Sequence, residues 1–517
     1  MNSKVSLPPT AARSGIRQGI DMEIELKLAL HPRHTARIRK HPLLSKITPK
    51  KRPLLSIYFD TPKFDLMRRG IALRIRRVDD QWIQTLKAEA QSVGALSTRP
   101  EWEMAITNDN HPDFSVLPRT ALDLLTGIKL KRIAPVFTTE FERTTWQIGN
   151  SAAQAEVALD IGKVYAGEMC RDICEVEIEL KSGEPTFLFD AATQLLKQVP
   201  LHIEPRSKAE RGYILSGAVI PAPIKATHAV IRKHQTSGEV WNATTQAALV
   251  QLVANVPGFL ENAHDIEYLH QLRIALRRLR TGVLLTKSIG IESPNWDQPL
   301  RESLHTLNPA CDWDVFLQGT LSQTLAALGG SPGNASVQDT TFALMRDAAT
   351  HARQRAQTLL LKPIFTRLVL DIGRSLLVTP SSVEIGDAKA WSERVLEKRW
   401  QKLSKRCHGF ARLDASERHL ARIAAKKMRY TVEAFAPFYG KSAHHFTTAL
   451  SALQDELGRE NDMRVGEQLL RALPKKSVTH SFELGRLSGA LELKAAQQAH
   501  LSNSVWRRLA RSTLFWH

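Results

Sequence analysis

The stretch CEVEIELK (174–181) sets Glu175, Glu177, Glu179 and Lys181 at alternate positions, with Val176, Ile178 and Leu180 between them. In a strand successive side chains point to opposite faces, so one face carries four charges and the other is apolar. The pattern recurs in MEIELKL (Glu23, Glu25, Lys27), IALRIRRV (Arg74, Arg76), WIQTLKA (Lys87 after Thr85) and RPEWEMAI (Arg99, Glu101, Glu103). On the outside of a sheet such rows are a solvated face, with cross-strand ion pairs contributing under about 1 kcal/mol each. If the sheet closes into a barrel, the rows converge inside and offer cations to a polyanion and carboxylates to hard divalent cations.

Period-two writing runs from about 22 to 213, interrupted by a helix expected at 186–199, where TFLFDAATQLLKQV stops before Pro200. Residues 1–20 read as a flexible leader. Residues 216–236, carrying Pro221 and Pro223, read as a linker. From 237 to the end the spacing is helical, with breaks near 329–336 and 378–387. The chain is therefore α+β in two domains, strands first and helices second.

The helical half contains an internal duplication. HQLRIALRRLR (270–280) and HLARIAAKKMR (419–429) carry their charges at the same offsets: His270, Arg273, Arg277, Arg278 and Arg280, then His419, Arg422, Lys426, Lys427 and Arg429. At 100° per residue these offsets fall within an arc of roughly 160°, so each helix has one cationic face, and two such faces can grip an anion across a groove. Lys and Arg number 71 against 52 acids, a net charge of +19, which directs attention to nucleic acid, a phosphate polymer or an acidic membrane surface. Aromatics are only 6% of the chain and do not interleave with the arginines. That disfavours base stacking, and with it single-stranded nucleic acid, relative to a featureless polyanion.

The four cysteines, Cys170, Cys174, Cys311 and Cys407, form neither a disulfide framework nor a metal spacing, which fits a reducing, cytoplasmic compartment. No apolar run approaches 18 residues, so no membrane span or secretion signal is expected. A phosphate-cradling GxxxxGK[ST] loop is missing from the sequence. Many Arg and Lys donors beside several Glu suit phosphoanhydride chemistry, where cations neutralise phosphate oxygens and Mg²⁺ or Mn²⁺ bridges carboxylate to phosphate.

EIELK (23–27) is the ExExK signature of the CYTH superfamily, the triphosphate tunnel metalloenzymes, which the first half resembles. YFDT (58–61), LRIR (73–76), QTLK (84–87), RPEWE (99–103), ALDIG (158–162), CEVEIEL (174–180) and SKAERGY (207–213) follow in the family's order. The resemblance implies a closed antiparallel β-barrel tunnel over residues 21–215. It assigns metal binding to Glu23, Glu25, Asp160, Glu175, Glu177 and Glu179, and triphosphate binding to Lys27, Arg74, Arg76, Lys87, Arg143, Lys208 and Arg211. Glu23, Glu25, Lys27 and Lys87 would carry the catalysis. Lys208 and Arg211, at i and i+3, suit a helix at the tunnel mouth.

YLHQLRIALRRLRT (268–281), LNPACDWDVF (307–316), ERHLARIAAKKMRYTVEAF (417–435) and LQDELGRENDMRV (453–465) resemble the CHAD domain, an all-helical bundle associated with polyphosphate binding. Each basic helix is read as followed by a loop. Asn308 and Cys311 stand where the family usually has Gly and Arg. The resemblance implies a helical bundle over 237–517 that binds long-chain polyphosphate through His270, Arg273, Arg277, Arg278, His419, Arg422, Lys426 and Lys427. Together the halves are expected to form a bacterial-type inorganic triphosphatase, hydrolysing tripolyphosphate to pyrophosphate and phosphate with Mg²⁺ or Mn²⁺. The alternatives are an adenylate cyclase, a thiamine or nucleoside triphosphatase, and a non-catalytic polyphosphate-binding protein. Tyr58, Phe59, Trp82 and Trp102 are assigned to packing in the barrel wall, which leaves no sequence feature for a base or thiazolium pocket.

Overall fold

A computed structural model describes residues 21–517 other than 79–80, 89–90, 108–110, 233, 291, 329–334, 379–386 and 475–477. The expected leader, and most of the two expected breaks in the helical half, lie outside the described residues. Ten strands form one antiparallel sheet: β1 (Asp21–Leu30), β2 (Lys50–Asp60), β3 (Ala72–Val78), β4 (Gln81–Lys87), β5 (Gln91–Val93), β6 (Leu96–Ile106), β7 (Ala134–Gly149), β8 (Gln154–Ala166), β9 (Met169–Ser182) and β10 (Leu201–Ile203). Their order is β10-β1-β9-β8-β7-β2-β3-β4-β6-β5, and β1 also pairs with β6, from Asp21 opposite Glu101 to Leu26 opposite Leu96. That last pairing closes eight strands into a barrel.

Closure decides the fate of the alternating strands. Leu26, Leu28, Val157, Leu159, Val176 and Ile178 point outward and are buried in one core with Phe189, Leu249 and Val369 of the covering helices. Full burial of each such side chain contributes roughly 1.5–3 kcal/mol. The helices are Thr186–Leu196, Ser237–Glu261 and Pro363–Val378. A second core, with Phe59, Leu73, Ile75 and Trp102, covers the opposite wall beneath the helix Arg119–Leu124. Both faces that water would otherwise meet are thus apolar and covered, so the charged faces are left to the barrel interior.

Strand and helix regions are joined by polar contacts as well as by the shared core. Thr366 donates to the carbonyl of Leu201 at 2.9 Å, and Arg374 pairs with Asp190 at 2.8 Å. The duplicated basic segments lie on Ile266–Thr286 and Ala415–Tyr439, each opened by an aspartate cap: Asp265 accepts from the N–H of Glu267, and Asp414 from that of Glu417. The segments read as loops after them are helical, within Asp297–Val315 and Ser442–Arg471. In the first of them buried Leu307, Ala310, Cys311 and Trp313 recur at helical spacing and hold the helix through Pro309. Among the described residues no helix is long and apolar enough to cross a membrane.

Candidate active site

The barrel interior is a cavity lined mainly by charge. Glu23, Glu25, Lys27, Arg74, Arg76, Lys87, Arg143, Glu177, Glu179 and Lys208 all reach it. At one end Lys87 donates to both oxygens of Glu23 at 2.7 Å, and Arg99 bridges Glu23 and Glu25, also at 2.7 Å. Burial favours the neutral form of both acids, yet Lys87 and Arg99 hold Glu23 down at about 2. For Glu25 burial prevails, reinforced by the charges of Glu177 and Glu23, and its pKa rises. Two carboxylates on one strand face are therefore shifted in opposite directions.

A second acidic group lies deeper. One oxygen each of Asp160, Glu175 and Glu177 lies within 4.8 Å of the others, and Asp160 and Glu175 have no exposed surface. The Lys208 ammonium sits among them, 2.7 Å from Asp160 and 2.8 Å from Glu177, and also contacts Glu175. Arg143 holds Asp160 through two bonds of 2.8 and 2.6 Å and reaches Glu177 at 2.5 Å, while Arg211 holds Glu175. Three acids face three bases. Although burial opposes ionisation, Lys208 and Arg143 keep Glu177 well below the usual carboxylate range. The donor set here and at Glu23 and Glu25 is all carboxylate oxygen, which fits a hard divalent cation. Lys208 now provides positive charge at the deeper group.

The opposite wall is cationic and under-satisfied. Arg76 pairs with Glu103 at 2.8 Å, whereas Arg74 lies 3.8 Å from both Glu101 and Glu103. Burial and the neighbouring Arg74 push Arg76 down to about 10. The Nε donors of Arg74 and Arg76 are buried with no acceptor among the described residues. An unmatched buried donor costs about 1–3 kcal/mol, a cost that an anion in the tunnel would remove.

Lys208 and Arg211 do lie on one helix, Lys208–Leu215, opened by a capping box between Ser207 and Glu210. Arg211, Asp160 and Glu175 stand behind the lining and support it. Six charged lining residues were not assigned from the sequence: Arg52, Arg99, Glu101, Glu103, Glu156 and Lys181. The alternation in RPEWE and CEVEIELK had set Arg99, Glu101, Glu103 and Lys181 on charged strand faces; Glu156 was missed, although its four-residue spacing from Asp160 is the signal that puts both on one face. Phe59 and Trp102 are buried in the wall core and Trp82 packs against it; Tyr58 is buried in a third core, stacked on Phe137 at 4.6 Å, and it also lines the cavity and hydrogen-bonds Arg74.

In the helical region the two basic helices meet. Lys426 lies close to Arg277, Arg422 and Arg273, with Asp462 as its acidic neighbour. Arg273 reaches Asp312 at 3.4 Å and Arg422 reaches Asp462 at 3.9 Å, two equivalent pairs from the two repeats. Burial, then the like charges around it, push Lys426 down to about 6. Not all eight predicted residues join this cluster. Arg278 turns away to Gln251 and the carbonyl of Thr227, both at 2.7 Å. Lys427 faces Arg399, Arg280 and Lys402. His270 and His419 are exposed, His270 near Arg273 and Arg277.

Residues 21–213 match the CYTH domain family, and residues 243–471 match the CHAD domain family. The chain is a CYTH domain followed by a CHAD domain. An inorganic triphosphatase of Haemophilus influenzae is 34% identical over 196 residues, covering 37% of this chain and 54% of that protein. The match thus spans about half the length of this relative. The crystal structure of the CHAD domain from the plant Ricinus communis is similar with a TM-score of 0.51 at 28% identity, over 56% of this chain and 98% of that one. In CYTH terms the closed eight-stranded barrel and its charged interior are as expected. In CHAD terms the repeated basic helices are paired with repeated aspartates, Asp312 and Asp462, on the helices that follow.

Proposed function

We propose that the chain is a metal-dependent inorganic triphosphatase, cleaving tripolyphosphate to pyrophosphate and orthophosphate, with a CHAD region that binds long-chain polyphosphate. The observation that carries this reading is the pair of orphaned guanidinium donors, Arg74 Nε and Arg76 Nε, buried opposite rows of carboxylates in one cavity. Arg74, Arg76, Arg143, Lys27 and Lys87 bind the phosphate oxygens and offset the charge that builds on the departing pyrophosphate. Glu23, Glu25, Glu177 and Glu179, with Asp160 and Glu175 behind, are the oxygens that would hold the cation. Mg²⁺ or Mn²⁺, when bound, polarises the phosphorus and orients water.

The lining also supports an inorganic substrate. Among the described residues its aromatic side chains are Tyr58 and Phe141, and the Phe141 ring is already met by Arg143 at 5.7 Å and Lys208 at 5.0 Å. Tyr58 stacks on Phe137 at 4.6 Å, and both Tyr58 and Phe141 are buried, which leaves little ring surface for a base to stack on. For the CHAD region, buried like charges with too few acids favour a polyanion. Four free thiols support a reducing, cytoplasmic location. Phosphate release from tripolyphosphate, ATP, thiamine triphosphate and long polyphosphate, each with Mg²⁺ and Mn²⁺, tests the reading. Tripolyphosphate should turn over fastest, and a preference for ATP would contradict it.

A further inference from the structure

Lys27 differs from the other two lysines lining the tunnel near the predicted catalytic groups. Lys87 and Lys208 end among carboxylates, whereas Lys27, only 6% exposed, has no carboxylate within 4.0 Å among the described residues. Its ammonium donates instead to the main-chain carbonyl of Arg206. Lys27 is therefore a tunnel cation with no direct carboxylate partner, although Glu175, Glu177 and Glu204 feel its charge from further off, and its aim depends on where that carbonyl lies.

The carbonyl is fixed by the side chain of its own residue. Arg206 donates from Nε and Nη2 to Glu204 at 2.9 and 2.7 Å, and Glu204 also accepts the Arg206 N–H at 3.0 Å. The far side of the guanidinium donates to Glu261 at 2.9 and 2.5 Å. Glu261 is the last residue of Ser237–Glu261, the first helix of the helical region, and Arg171 of β9 reaches it at 3.1 Å. A carboxylate at a helix C-terminus faces the negative end of the helix dipole, an unfavourable place that two guanidinium groups offset. Arg206 also directly precedes Ser207, the cap of the helix that carries Lys208 and Arg211. One side chain thus ties the tunnel base to the helical region.

We propose that Arg206 and Glu261 are positioning residues: the helical region, through Glu261, holds the Arg206 carbonyl where it aims the Lys27 ammonium into the tunnel. Triphosphate turnover in the barrel then depends on a contact made by the helices. The kinetic arm of the test rests on the triphosphatase reading, and the spectroscopic arm does not.

In the full chain, Glu261→Ala should lower kcat/KM for tripolyphosphate on the order of tenfold, the effect of a small misplacement of a catalytic group. In a Lys27→Met background the same change should do nothing further, because Glu261 acts through Lys27. A merely structural role would lower both backgrounds alike. Glu261→Gln, which keeps the shape, replaces the alanine variant if that one does not fold. In the second arm, the ¹H–¹⁵N signal of the Lys27 ammonium is protected by the carbonyl in the parent chain and broadens by solvent exchange in the Glu261 variant. If the parent proves inactive on tripolyphosphate, the functional reading falls and this signal still decides the positioning claim. An unchanged Lys27 signal, or an equal loss of activity in both backgrounds, overturns it.

Discussion

Replacing the half-buried Lys426 by methionine should make the protein more stable. In the folded chain the amine is pushed from 10.5 to about 6 by burial and by Arg277, Arg422 and Arg273. The unfolded chain binds a proton at pH 7 that the folded chain does not, and this favours unfolding by up to about 5 kcal/mol. Water entering the partly exposed site, and relaxation of the arginines, reduce this to roughly 1–3 kcal/mol. For a region of this size that is a rise in Tm of roughly 2–10 °C. The sign follows from a lysine whose folded pKa is depressed. Its cost is complete at and below about pH 6, shrinks as pH rises, and is gone above 10.5, the ordinary value. Differential scanning calorimetry of parent and Lys426→Met at pH 6, 7.5 and 10.5 should show a gain that fades with pH. The same variant should bind long polyphosphate more weakly, because the strain is held for an anion. A lower Tm at pH 6, or a gain independent of pH, would refute the reasoning.

On the proposed reading the same amine should make polyphosphate affinity depend on pH: an anion restores its charge, so affinity should rise as pH falls from 9 towards 6, by at most about tenfold per unit, and level off below 6. Titration calorimetry at constant ionic strength would show it, and a flat profile would remove Lys426 from the site. Arg273→Glu and Arg422→Glu, the equivalent residues of the two repeats, should cost comparable polyphosphate affinity, whereas Lys427→Ala should change it by less than about twofold, since Lys427 faces Arg399 and Lys402. Binding to the parent should weaken steeply with added salt. Glu25→Gln should leave the fold intact, because it removes one of three mutually repelling carboxylates, yet abolish most metal-dependent turnover, measured by phosphate release.

The barrel was legible because its strands carry charges at alternate positions and a one-residue change of register would invert every face. What the sequence could not supply was the pairing across the interior. Arg99 was visible on an inward face, but only closure of β1 on β6 sets Glu23 opposite it and brings it onto Glu25 as well. Arg52 was hidden beside Pro53, in a strand with little polar alternation. The two cationic faces meet only in part, for a geometric reason. An arc of roughly 160° is wider than the stripe one neighbouring helix can meet, so positions four apart, Arg273 with Arg277 and Arg422 with Lys426, reach the cluster. Arg278 and Lys427, one residue further round, turn to other neighbours. The clamp of Arg206 on Glu261 had no local signal, because its partners lie 55 residues apart.

The most direct test of the tunnel as a triphosphatase site compares the parent chain with Arg74→Ala on tripolyphosphate, followed by ³¹P NMR with Mg²⁺ and by phosphate release with Mn²⁺. The parent should yield one pyrophosphate and one orthophosphate per tripolyphosphate consumed. Loss of a charge-assisted contact worth about 1.5–3 kcal/mol should lower kcat/KM for the variant by roughly 10- to 150-fold while its unfolding transition stays in place. Equal turnover by the two proteins, or no consumption of tripolyphosphate by the parent with either metal, would contradict the assignment.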